Sequence, residues 1–313
     1  MDTDHLARMV ISGDTRAISR AISIAEDRSM SEECRLLMRA LYPKTGNIHV
    51  IGITGPPGVG KSTIIGQIAL EMDRRKIRTS IIAVDATSPF SGGTLLGNRI
   101  RMQESLNRTS IFMRSLASRG FKGGLSSATL STIKILDAAG YDTAIIETVG
   151  AGQTDIDIMK IADTTVVMHA PGLGDIVQSI KAGIMEIGDV FVVNKIDREG
   201  SFLAIKDIQD SLAINPSGEY HKKVIGVNSL NGENIPSLVD ELMSHRSFIS
   251  KKRKDSKSRF MLELQIYIED ELRRIIDERS EGNGDLHREM ISVARKGIDP
   301  FNGAEIILAK LLR

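Results

Sequence analysis

A chain of 313 residues is long enough to bury a sizeable core and to form one large or two ordinary domains. Its 41 Lys and Arg stand against 40 Asp and Glu, a formal net charge of +1 that gives no electrostatic pointer to nucleic acid, and no apolar run approaches the length of a bilayer span. A lone Cys34 can form neither an internal disulfide nor a cysteine-based metal cluster; with acids early in MDTDHLARMV and no basic region leading into an apolar core, no export signal is expected, and the expected location is the cytoplasm.

Residues 3–42 read as helices. Leu6, Met9 and Val10 share one face, Ser12-Gly13-Asp14 breaks and recaps the chain, and Ala17, Ile18, Ala21, Ile22 and Ala25 form a second stripe. Ser31-Glu32-Glu33 opens a third helix, which Pro43 closes. No chemistry-bearing pattern occurs here, so residues 1–44 are expected to be a helical extension that covers the adjoining domain or meets a partner.

The stretch IHVIGITGPPGVGKSTII, Ile48 to Ile65, organises the rest. A β-branched apolar run leads into Gly55-Pro56-Pro57-Gly58-Val59-Gly60-Lys61-Ser62-Thr63, and Ile64, Ile65, Ile68 and Ala69 then recur at helical spacing. This is strand, phosphate loop and helix: the glycines let backbone N–H groups turn inward around a polyphosphate, and the helix places its positive end beneath it. Lys61 is expected to reach the β and γ phosphates and the Ser62 hydroxyl to bind magnesium, with residues 55–63 as the nucleotide cradle.

Beyond the loop, strand-like segments at Thr79–Val84, Thr143–Ile146, Thr164–His169, Val190–Val193 and Val224–Val227 alternate with helical or loop stretches. The expected fold class is α/β, a mostly parallel sheet covered on both faces, with ligands at the carboxyl ends of the strands. Asp85, Glu147 and Asn194 stand at those ends; each alone could be a strand terminator, but with the phosphate loop they read as one site. Asp85 is expected to hold magnesium through water or to position the attacking water. In Glu147-Thr148-Val149-Gly150-Ala151-Gly152-Gln153, the Gly150 N–H can meet the terminal phosphate, and the glycines flanking Ala151 let the segment move when that phosphate leaves. Arg99 and Arg101 suit either phosphate support or a solvated helix face.

Asn194-Lys195-Ile196-Asp197 follows the apolar strand VFVV and speaks to the base. A carboxylate at Asp197 accepts from both N1–H and the 2-amino group of guanine, donors that adenine lacks there. The stem of Lys195 is expected along the purine plane, Asn194 is expected to tie this loop to the phosphate loop, and Ser229 lies where a further loop can address the guanine oxygen through backbone amides.

The blocks GPPGVGKST, VDATSPFSGGTLLGNRIRM, ETVGAGQTD, APGLGDIVQSIKAGIMEIGD and NKID, in this order, resemble the methylmalonyl-CoA mutase-associated GTPases, the MeaB/ArgK group, from about Ala17 to the C-terminus. The resemblance implies a P-loop GTPase of the signal-recognition/nitrogenase-iron-protein class. It also implies GTP/GDP and magnesium as cofactors, and a role in protecting an adenosylcobalamin-dependent acyl-CoA mutase and gating its cofactor loading. By position it implies Lys61, Asp85 and Glu147 as the candidate catalytic set, with Ser62, Asp85 and Glu147 around the metal, and it makes Pro171–Gly183, with Asp175, Gln178 and Lys181, a further switch that communicates with the mutase, beside the Gly152 and Gln153 segment. One departure stands out: the family's L-G-D is Leu96-Gly97-Asn98 here, and Asn98 brings no negative charge to the metal region.

After this GTPase domain, expected over 45–248, Lys251-Lys252-Arg253-Lys254 reads as a solvated basic linker. An amphipathic helix extends from Phe260 to about Arg279, then a turn at Gly282-Asn283-Gly284, a shorter helix, and a last one over Ala304–Leu312 that Pro300 separates. The resemblance makes 249–313 a homodimerisation arm, whereas the sequence alone equally allows a tail folded back on the GTPase domain. Two other functions remain open at this level: a small-molecule or transport-protein kinase, for which no acceptor pocket is visible, and a metal-delivery GTPase, for which six scattered His and one Cys supply no cluster.

Overall fold

Seven strands, all parallel, build one sheet in the computed structural model, which describes residues 2–85, 109, 111–117, 127–147, 160–172, 184–214, 219–252, 257–280 and 284–311. They are β1 (His49–Thr54), β2 (Thr79–Asp85), β3 (Phe112–Ala117), β4 (Thr143–Glu147), β5 (Thr164–His169), β6 (Val190–Asn194) and β7 (Lys223–Val227), in the order β3-β2-β4-β1-β5-β6-β7. β1 pairs with β4 on one side, Ile51 opposite Ile145, and with β5 on the other, Ile53 opposite Val166. The winding direction reverses at β1, and such a reversal opens a crevice at the carboxyl ends of the strands.

Helices cover both faces, which is why β1, β5 and β6 are buried along their whole length. On one face α4 (Lys61–Arg74) and α8 (Ile235–Lys252) place Ile64, Ile68, Met72, Leu238 and Leu242 against Ile51, Ile53, Val166 and Val190. On the other, α7 (Ser201–Ile214) lays Ala204 and Ile208 on Val167, Phe191 and Val193. The period-2 alternation along β5 and β6 thus splits each strand between two cores.

β3 is the strand that the sequence does not announce. Among the described residues it is an edge strand, pairing with β2 alone, and Met113, Arg114 and Ser115 are half-exposed, so it lacks the apolar run of its buried neighbours. The N-terminal helices are α1 (Thr3–Ile11), α2 (Thr15–Glu26) and α3 (Ser31–Leu41), the last two packed on α5 (Ser127–Ala138). Asp14 caps α2 by accepting from the Ala17 N–H at 2.8 Å, as its place in the break predicts. Ile24, rather than Ala25, completes the buried stripe. Ser31 is the first helical residue and not a cap, because a short 3-10 turn at Arg28–Met30, capped by Asp27, runs directly into α3. Arg114 of β3 reaches Ser23 at 3.1 Å and pairs with Glu26, which ties α2 to the edge strand.

The amino ends of the strands are pinned by buried polar links. His49 Nε2 meets the Thr164 hydroxyl at 2.7 Å, that hydroxyl meets His245 Nδ1 at 2.8 Å, and His245 Nε2 lies 3.7 Å from Asp189. The Asp137 carboxylate accepts backbone N–H bonds from Gly46, Asn47 and Ile48 just before β1. Burial pushes the His245 imidazole below its ordinary value and the Asp189 carboxyl above its own.

The chain forms two compact units, residues 1–259 and 260–313. A short α6 (Ile184–Ile187) belongs to the first, whereas most of α9 (Lys257–Ser280) and all of α10 (Asp285–Arg295) and α11 (Pro300–Leu311) belong to the second. α11 starts at Pro300 instead of after it: proline suits a first helical position, and Asp299 accepts from the Phe301 and Asn302 N–H groups at 3.1 Å each. Arg274 bridges Glu271 and Glu278 along α9, while Phe260, Leu264, Ile268, Leu272 and Ile276 are exposed at four-residue intervals. Lys251 and Lys252 end α8, and 253–256 lie outside the described residues. No described helix is long and apolar enough to cross a membrane.

Candidate functional site

Asp85, Glu147 and Asn194 are the last residues of β2, β4 and β6, so the sheet brings three polar strand ends to the edge where the phosphate loop leaves β1. Gly55 to Gly60 connect β1 to α4, and Gly60 is the N-cap of α4 with no side chain capping it, so the first-turn N–H groups face the loop. Gly60 has φ +97 and a Cβ there would lie 2.5 Å from Asn194 Nδ2, so both the backbone and the neighbour require glycine. Pro57 and Gly58 are exposed at the rim, Pro56 is half-buried, Val59 is buried in the core, and Thr63 is exposed on the first turn of α4.

Lys61 is buried to 8% exposure, with its ammonium folded across the loop to donate to the Gly55 carbonyl at 2.7 Å and the Pro56 carbonyl at 3.3 Å. The Ser62 hydroxyl donates to Glu147 Oε1. Two hard oxygen ligands thus meet at the start of α4, a donor set that suits magnesium. Asp85 pairs by backbone with Ala117, but its carboxylate lies outside the described side chains. Asn98, Gly150, Gly152, Gln153, Asp175, Gln178 and Lys181, with Arg99 and Arg101, also lie outside the described residues.

Asn194 joins three loops. Its amide nitrogen donates to the Val59 carbonyl at 2.8 Å and the Ser229 hydroxyl at 3.0 Å, and its oxygen accepts from the Lys195 and Ser229 N–H groups at 2.9 and 3.1 Å. Every hydrogen-bonding position of this 1% exposed side chain is used, so the loop is held against the phosphate loop as its sequence position suggests. Lys195 sits at φ +62, in the left-handed region, and its ammonium donates to the Gly58 carbonyl at 2.7 Å, drawing its stem across the same gap. The Ser229 N–H donates to Asn194 Oδ1 and the Ser229 hydroxyl accepts from Asn194 Nδ2, so Ser229 is tied to the site through that residue.

Asp197 is exposed beyond this brace, with Oδ1 accepting from Asn228 Nδ2 at 2.9 Å. Asn228 carries no motif signature; the only sequence clue is its place beside Ser229 at the end of β7. His169, the last residue of β5, is buried, and that burial holds its imidazole below the ordinary value, so it is neutral at neutral pH.

Residues 18–281 match the family model described as "Methylmalonyl Co-A mutase-associated GTPase MeaB". A putative GTPase of Pyrococcus horikoshii is 40% identical over 99% of this chain and 98% of its own length. The "Methylmalonic aciduria type A homolog, mitochondrial" of Caenorhabditis elegans is 33% identical over 63% of this chain and 52% of its own. A crystal structure titled "LAO/AO transport system kinase" superposes with a TM-score of 0.70 over 99% of this chain and 98% of that one; at 21% identity it establishes the shared fold alone. A strand-end site wrapped around a phosphate loop and braced by an N-K-x-D loop, carried by a chain with these matches, is that of a P-loop GTPase, and the chain belongs to the methylmalonyl-CoA mutase-associated GTPase family.

Proposed function

We propose that this GTPase is a nucleotide-dependent chaperone that gates adenosylcobalamin loading into an acyl-CoA mutase of the same cell and protects the loaded enzyme, working in the cytoplasm. In this reading residues 45–248 carry GTP and its hydrolysis, 1–44 buttress them, and 249–313 form a homodimerisation arm. Support for the arm is the exposed apolar series Phe260, Leu264, Ile268, Leu272 and Ile276, a surface that a second copy can cover.

The observation that carries the nucleotide assignment is the Asn194 junction, which fixes the guanine-reading loop on the phosphate loop through Val59. Lys61, already crossing the loop, meets the β and γ phosphates, and the N–H groups at the start of α4 receive their charge. Ser62 and Glu147, with Asp85, hold magnesium, which when bound neutralises charge on the transferring phosphoryl group. Asn194, Lys195 and Asp197 hold the base, Asp197 taking N1–H and the 2-amino group of guanine. Gly150, Gly152 and Gln153 follow the terminal phosphate; Asp175, Gln178 and Lys181 pass the nucleotide state to the mutase; and Asn98 in place of an acid weakens the metal region. The partner assignment rests on family membership and on the name of the nematode relative.

A switch held by triphosphate reports its state only through a partner that binds its two arrangements with different affinity, and a coupling of about 1–3 kcal/mol corresponds to roughly 5- to 150-fold. The test is GTP turnover with and without an adenosylcobalamin-dependent acyl-CoA mutase from the same cell, for wild type, Asp175→Ala and Lys181→Ala. Stimulation of wild type that both variants blunt while retaining GTP affinity supports the assignment. No stimulation despite a demonstrated complex removes the switch, and no complex in any nucleotide state removes the partner.

A further inference from the structure

Asn228 belongs to none of the motifs that point to a guanine nucleotide, yet its side chain holds the Asp197 carboxylate, which the proposed function assigns to the base. Its Nδ2 donates to Asp197 Oδ1 at 2.9 Å, and its Oδ1 accepts from the Leu230 N–H at 3.1 Å. The second bond settles which way the amide points: turned end for end, it would set its oxygen against the carboxylate and its NH2 against an N–H, losing both bonds. The backbone around it is equally fixed. The Asn228 N–H donates to the Glu233 carbonyl at 3.2 Å and its carbonyl accepts from the Gly232 N–H at 3.0 Å, so an 8% exposed residue presents one donor in one place.

Asp197, by contrast, is exposed and sits in the turn after β6, where the Arg198 N–H bonds the Lys195 carbonyl. An unsupported carboxylate there would rotate freely, whereas paired donors on one edge of a purine require both oxygens in one plane. A donor behind Oδ1 fixes that plane and leaves the second oxygen and the outer lone pairs for the ligand.

We infer that Asn228 is a positioning residue for nucleotide specificity: by donating to Asp197 Oδ1 it sets the carboxylate that distinguishes guanine from bases lacking the 2-amino group. This rests on the reading of Asp197 as the guanine acceptor. The plainer role, closing the 228–233 turn, needs only the Asn228 oxygen and its bond to Leu230, so the two roles are carried by different atoms of one side chain. Asn228→Asp separates them, because it keeps the acceptor for Leu230 and replaces the donor with a carboxylate oxygen that repels Asp197.

The full-length protein is titrated calorimetrically with GDP and with IDP, which lacks the 2-amino group. A hydrogen bond to a charged acceptor gives wild type a preference for GDP of about tenfold or more. The inference expects Asn228→Asp to reduce this ratio to about twofold or less, and to have no further effect in the Asp197→Ala background, as coupled residues require. A GDP/IDP ratio unchanged in Asn228→Asp, or GDP and IDP weakened in parallel, overturns it and leaves Asn228 as a turn residue. Should Asn228→Asp not fold, Asn228→Thr and Asn228→Ala are measured for the same ratio with the same two outcomes. The underlying reading fails separately, through a wild type that does not distinguish GDP from IDP or an Asp197→Ala variant that still does.

Discussion

Replacing Gly60 by alanine probes the junction on which the site depends. The residue lies at φ +97, where a Cβ costs about 1–2 kcal/mol of backbone strain, and the added carbon would stand 2.5 Å from Asn194 Nδ2. That nitrogen cannot retreat without lengthening its bonds to the Val59 carbonyl and the Ser229 hydroxyl, now 2.8 and 3.0 Å, each contributing about 1 kcal/mol. The expected loss is therefore about 3–4 kcal/mol, of which about 2 kcal/mol depends on Asn194. Gly58 supplies the control: its φ is +77 but nothing among the described residues lies within 4 Å of an added Cβ, so Gly58→Ala in nucleotide-free protein should lose only the strain. Urea unfolding of the nucleotide-free wild type, Gly60→Ala, Asn194→Ala and the double variant measures the coupling directly, and a GDP titration reports how much of it reaches the ligand. With the amide gone, Gly60→Ala should cost about 2 kcal/mol less than it does in wild type. Strict additivity of the two substitutions, or equal losses for Gly60→Ala and Gly58→Ala, would refute the claim that the two loops are braced through this contact.

Thr164→Val preserves shape but removes the hydroxyl between His49 and His245; a loss of about 2–4 kcal/mol is expected from the imidazole nitrogens it serves, read as a lower urea midpoint, and a loss under about 0.5 kcal/mol would deny that link a structural role. Burial holds the His245 pKa below its unfolded value, so the unfolded chain takes up the proton first and the contribution of His245, complete above about pH 6.5, is lost as pH falls below it. His169 shifts in the same direction, while Asp189, raised by burial, opposes them; the pH dependence between about 7 and 5.5 should accordingly flatten, not vanish, in His245→Gln, and an unchanged slope would show that His245 does not contribute to it. Lys61→Ala should weaken GTP binding by about 100-fold through loss of a charge-assisted contact, whereas Glu147→Ala should mainly lower magnesium-dependent turnover at saturating GTP; equal effects on affinity and none on turnover for Glu147→Ala would take that carboxylate out of the metal site.

What the sequence determined by itself was local chemistry on a short span of chain. The phosphate loop is legible because strand, glycines, Lys61 and helix are contiguous, and the carboxylate and amide strand ends at Asp85, Glu147 and Asn194 are legible because buried parallel strands are apolar until they stop. The same logic misses β3, whose edge position leaves it half-exposed and without an apolar run, and it misplaces the start of α11, where a capping Asp299 makes Pro300 a beginning. Only the tertiary structure decided the strand order, with β1 between β4 and β5, and therefore which strand ends share the crevice. It alone joined Asn194 to Val59 and Ser229, Asn228 to Asp197, and Thr164 to His49 and His245, pairs separated by 31 to 135 residues. A hydrogen bond between such distant residues leaves no periodic mark in either segment, because each side chain answers to a partner that the fold delivers and that its own neighbours in the chain do not specify.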